Sequence, residues 1–143
     1  MGLQADARYA SVALLTDYAT SAKVKLQVYP ARPRTLVPPT AFVDLIHEHI
    51  EYSGPTLRQR APVVEMIVVH GIFDSKEAAD QKDAFVDGFL DWANTRYHAM
   101  GTNTTVGVTD TEDLPNWIPE WKPPAEQLVY YATRIVLEGL ALG

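Results

Sequence analysis

The sequence predicts an α+β domain: a largely antiparallel mixed sheet of four to five strands with two helices packed on one face. Three observations carry this prediction. Apolar residues recur at three- and four-residue spacing in two segments, near the N-terminus and after residue 74. Between and after them lie short runs rich in β-branched residues. Proline and glycine punctuate the junctions.

The first helix is read over Leu3–Ala22, with Ala7, Ala10, Leu14 and Tyr18 on one face and Ser11 beside them. Lys23–Tyr29 alternates Lys23, Lys25 and Gln27 with Val24, Leu26 and Val28, the pattern of a half-buried strand. Pro30, Pro33, Pro38 and Pro39 then impose an extended connection. Ala41–Tyr52 fits a helical stripe about as well as a strand with a bulge. Pro39 before it and Tyr52-Ser-Gly-Pro55 after it favour extended structure. Thr56–Ala61, with Arg58 and Arg60, reads as an exposed loop.

Pro62–Phe73 is the best strand, apolar on both faces except at Glu65 and His70, and is therefore expected near the sheet's centre. Asp74–Met100 is the best helix, with Asp74 or Ser75 as its cap and Gly101 as its stop. Ala78, Ala79, Phe85, Val86, Phe89, Leu90, Ala93 and Tyr97 form its apolar stripe, interrupted at Lys82. Thr104–Thr109 is a short strand, Asp110–Pro124 a proline-rich loop with Trp117 and Trp121, and Gln127–Glu138 the last strand.

At 143 residues the chain fits a single domain, 1–143, with 47% hydrophobic and 21% charged residues. It has no cysteine, so disulfides, thiolate metal sites and cysteine nucleophiles are excluded. No secretion signal or membrane-length apolar run is expected. The net charge of −6 argues against broad nucleic-acid binding, which needs basic patches.

Candidate chemistry is sparse. His47 and His49, with Glu48 between them, share one face of a strand and can ligate a metal only with a third partner such as His70. A solvated or interface-facing pair is the stronger reading. Asp80, Asp83, Asp87 and Asp91 form one acidic ridge on the second helix; a solvated face explains it, and a partner-facing role is the alternative. No nucleophile motif and no phosphate-binding glycine loop occurs, so no catalytic residue, cofactor or metal is assigned and no enzyme is expected. Trp117 and Trp121 have two open readings, a binding hot spot or a cap on the domain's own core. Arg58 and Arg60 suit ion pairs across a subunit boundary, or none at all.

Taken together, I-E-Y-S-G-P-T-L-R-Q-R at Ile50–Arg60, V-V-H-G-I-F-D-S at Val68–Ser75, D-A-F-V-D-G-F-L-D-W at Asp83–Trp92 and Y-Y-A-T-R-I-V-L-E-G at Tyr130–Gly139 resemble the tail terminator proteins of long-tailed, siphovirus-like bacteriophages and prophages. The likeness covers about three-quarters of the chain, from Pro38 onward. It implies a homohexameric ring in the virion, made in the host cytoplasm. The ring would cap the tail tube protein, stop its polymerisation and offer a joining surface to the head-closure or neck protein. DNA would pass through without specific binding. The acidic balance suits such a channel, with Asp80, Asp83, Asp87 and Asp91 as candidate channel-facing residues. Arg58, Arg60, Trp117 and Trp121 are the candidate subunit or partner contacts, since ring closure joins two different patches. The alternatives are another head–tail connector component, such as a head-closure or tail-completion protein, and, from a different class, a small metal-dependent hydrolase or metal-binding protein.

Overall fold

The β-branched run around residue 66 is the middle of one sheet, as its two apolar faces require. The structure, a computed structural model, describes residues 2–52, 54, 58–73, 76–93, 98–100 and 104–141. Among these, α1 (Leu3–Ala22) and α2 (Lys76–Ala93) accompany β1 (Gln27–Tyr29), β2 (Thr40–Tyr52), β3 (Arg58–Ile72), β4 (His98–Met100), β5 (Thr104–Trp117) and β6 (Tyr130–Ala141). The sheet order is β1-β2-β3-β6-β5-β4. β1 runs parallel to β2, and every other neighbouring pair is antiparallel. The α+β class with a mostly antiparallel mixed sheet therefore holds, with two three-residue strands at its margins.

Both helices cover one face. Ala7, Leu14, Leu15 and Tyr18 of α1 and Phe85, Phe89 and Ala93 of α2 bury against Ala41, Val43, Val64, Met66, Val68, Ile135 and Leu137. Tyr18 joins the helices, its ring edge-on to Phe85 at 5.6 Å and to Phe89 at 5.2 Å. Gly88 admits this approach, since a Cβ there would stand 2.5 Å from the Tyr18 hydroxyl. The opposite face carries a smaller core of Leu36, Phe42, Ile67, Val69, Tyr130 and Ala132, covered by the proline-rich connection and the tryptophans. Side chains alternate between these two cores along β2, β3 and β6, as a two-residue period demands.

Several boundaries differ from the sequence expectation. The strand read from Lys23 begins only at Gln27, because Lys23 takes a left-handed backbone (φ 57°) and closes α1 through bonds to Ala19 and Thr20. The loop read over Thr56–Ala61 is a strand from Arg58 onward: β2 and β3 pair as far as Tyr52 and Arg58, in a hairpin that extends both. The second helix, read to Met100, is described as helix to Ala93, and 98–100 pairs with 104–106 instead. Asp74, Ser75, Tyr97 and Gly101 lie outside the described residues. The loop read from Asp110 is strand as far as Trp117, bent by bulges at 108–110 and 114–117. The last strand starts at Tyr130 rather than Gln127, because Pro124–Glu126 forms a 3-10 turn first.

Candidate interaction surface

The β2–β3 hairpin shapes one end of the molecule. Its helix-side apolar row continues past the helix layer, leaving Ile50 and Tyr52 exposed, at 47% and 65%, while Leu45 is half-exposed on the opposite face. One contact fastens it to the body. Glu48 on β2 accepts from Arg60 Nη2 at 2.9 Å and from Gln4 Nε2 of α1 at 2.8 Å, and Arg60 Nε also donates to it. These donors hold the Glu48 carboxyl down to a pKa of about 2, the Arg60 bond first among them. Arg60 is thus a half-exposed partner within the chain, on a strand. The side chain of Arg58 lies outside the described residues.

The sheet face away from the helices becomes polar toward the same end. Glu65 lies 3.3 Å from Arg134 Nε and 3.8 Å from His47 Nδ1, and Arg134 Nη1 donates to Glu112 at 2.6 Å. The carboxylates alternate with the cation across three strands, so each charge is compensated where its backbone is fixed. Arg32 reaches Asp44 at 2.8 Å from the proline-rich connection.

Trp117 and Trp121 occupy the other end of that face. Both turn inward: Phe42 lies 6.0 Å from Trp117 and 5.2 Å from Trp121, centroid to centroid. Trp121 Nε1 donates to the Pro33 carbonyl at 3.4 Å, and Arg32 sits over the Trp121 ring. Between the two rings, Arg32, Asp44 and Arg134 a cavity of about 380 Å³ opens. Ile118, which lines it, stays exposed, as do Leu128 and Val129 just before β6. The structure therefore brings Trp117 and Trp121 together, and sets them at the opposite end of the sheet from Arg60, since the strands run between Tyr52–Arg58 and Ile72–Tyr130.

Asp80, Asp83, Asp87 and Asp91 are all exposed on α2. The ridge is partly neutralised, because Lys82 Nζ holds Asp83 at 2.8 Å and approaches Asp113 at 3.7 Å. Lys82 is the polar residue that interrupts the apolar stripe, and its ammonium sits over the Tyr131 ring, 5.5 Å from the centroid.

The three histidines considered for a metal do not converge. His47 and His49 project from the face away from the helices, towards Glu65 and Glu51. His70 is buried beneath α2, 2.9 Å from Thr133 Oγ1 and 5.5 Å from the Phe85 ring. Burial, reinforced by nearby Lys82, lowers its pKa to about 4, so it is neutral at pH 7. It borders an apolar cavity of about 400 Å³ with Tyr18, Leu26, Pro39, Val68 and Phe85. Among the described residues no group of three His, Cys, Asp or Glu could hold a metal ion, and no helix is long and apolar enough to cross a membrane.

One solved structure, whose name states no function, matches 99% of this chain and 98% of its own at 18% identity and a TM-score of 0.54. The likeness is one of fold. No protein-family model matches the chain, and no curated protein matches it.

Sequence reasoning singled out Arg60 without its partner Glu48, which it had considered only as a neighbour of two histidines. It also missed the link between Glu65 and Arg134, charged residues inside the two most apolar strands that meet diagonally, since Glu65 faces Val136 and Arg134 faces Ile67.

Proposed function

We propose that this chain is a structural virion protein, a tail terminator that closes into a homohexameric ring at the end of the phage tail tube. There it stops growth of the tube protein and presents the joining surface to the head-closure or neck protein. The observation that carries the reading is the presence of exposed apolar side chains at two opposite ends of one sheet. Ile50 and Tyr52 lie on the hairpin at one end, and Ile118, with Leu128 and Val129 just before β6, at the other. A ring between two different neighbours needs two such ends, one for the tube and one for the neck. Exposed apolar side chains gathered in this way mark contact surfaces. The four motif segments that resemble tail terminators support the same reading. The acidic composition, with Asp80, Asp87 and Asp91 exposed, suits a channel that DNA crosses without being held.

The test is an assembly reaction. Purified chain added to polymerising tail tube protein is expected to arrest tube growth and to appear as a ring at one tube end in negative stain. Unchanged tube lengths with no ring bound would overturn the proposal.

A further inference from the structure

We infer that neighbouring copies of this chain join edge to edge, the outer edge of β2 in one copy pairing antiparallel with the outer edge of β5 in the next. This deepens the ring proposed above and rests on it. Three observations lead there.

Among the described residues the sheet is open on both sides. β1 covers β2 only at Thr40–Phe42, and β4 covers β5 only at Thr104–Val106. Among the described residues no strand pairs with the outer edge of β2 over 43–51 or with that of β5 over 107–117. Two open edges of similar length are a template for strand addition. Both are guarded by bulges and charges, and Pro115 stands near the end of β5. The Thr111 N–H is held by the carboxylate of Asp110 at 2.8 Å. Such devices restrain indiscriminate pairing while leaving a matched edge usable.

The directions fit. β2, β3, β6 and β5 alternate in direction across the sheet. Rotation about a ring axis preserves which way each strand points along that axis, so β2 of the next copy meets β5 antiparallel and the alternation continues.

The side chains fit too. The ladder Leu45–Glu65–Val136–Asp110 puts the two edges' outer rows on the same face, away from the helices. With Leu45 of one copy opposite Leu114 of the next, His47 falls opposite Glu112 and His49 opposite Asp110. An apolar pair and two histidine–carboxylate pairs then line up in one register.

Because the chain contains no cysteine, cross-linking tests this cleanly. His47→Cys with Glu112→Cys, and separately His49→Cys with Asp110→Cys, places thiols at facing positions within disulfide reach. Mild oxidation of either double variant is expected to give a ladder extending beyond the dimer to the closed ring, while each single variant stays uncross-linked. A wild-type ring by mass with no ladder from either pair overturns the edge pairing and leaves the ring standing. A covalent dimer from His47→Cys alone points to β2 against β2 and also overturns it. A wild-type chain that never assembles removes both.

Discussion

Arg60 on β3 and Gln4 on α1 meet on one carboxylate oxygen of Glu48, at 2.9 and 2.8 Å, so a single side chain ties the hairpin to the first helix. The depressed Glu48 pKa fixes the sign of its effect. Ionised Glu48 favours the folded state above the ordinary carboxylate range, and the contribution is lost as pH falls from about 4.5 toward about 2. Glu48→Gln should lower the melting temperature at pH 7, with the gap to wild type closing through that window. A gap that does not change with pH would contradict the assignment. The pair is partly solvated, so the effect is expected to be modest.

His70 acts over a different range and by desolvation. Its folded pKa of about 4 lies below the unfolded value of about 6.5, so the unfolded chain binds the extra proton between them. Stability is therefore complete above pH 6.5 and falls as pH drops toward 4, by on the order of 2–3 kcal/mol. His70→Gln, which retains a partner for Thr133, should flatten this limb in urea titrations at pH 7 and pH 4.5. An equally steep limb in the variant would assign the loss to other groups.

Gly88→Ala should destabilise by about 1–2 kcal/mol, although alanine is the better helix former. The new methyl meets the Tyr18 hydroxyl, and that ring is wedged among Phe85, Phe89 and Trp92. Removing the hydroxyl should relieve the clash, so Tyr18→Phe with Gly88→Ala is expected to recover most of the loss. Additive losses in the double variant would contradict this packing account.

Trp121→Ala should cost about 2–3 kcal/mol, since its ring covers Phe42 and its indole N–H is bonded to Pro33. The solution mass should be unchanged, because the edge pairing does not use this ring. Loss of assembly at unchanged thermal stability would move Trp121 from the core to the subunit joint.

Elements whose stabilising contacts repeat along the chain were legible in the sequence. The α1 face of Ala7, Ala10, Leu14 and Tyr18 is buried as its spacing demands, and the two faces of β6 separate Ile135 and Leu137 from Tyr130 and Ala132. What escaped depends on distant partners. Arg58 and Arg60 look like a loop until Tyr52 and Ile50 stand opposite them. Residues 98–100 continue a helical pattern until 104–106 offers a strand to pair with. Trp117 reads as loop because Pro115 and the left-handed Asn116 bend β5 without ending it. For the candidate site, residue types were legible and their company was not. The two tryptophans, Arg60 and the acidic ridge were all singled out, but nothing local indicates that Arg60 serves Glu48 or that Lys82 tempers the ridge.

The most direct test of the ring is the solution mass of the wild-type chain, by analytical ultracentrifugation over a wide concentration range, with negative-stain images of the same sample. The account predicts a closed ring of six 15.9 kDa chains, about 95 kDa in all. A chain that sediments as a monomer throughout, and forms no ring when tail tube protein is added, would contradict it.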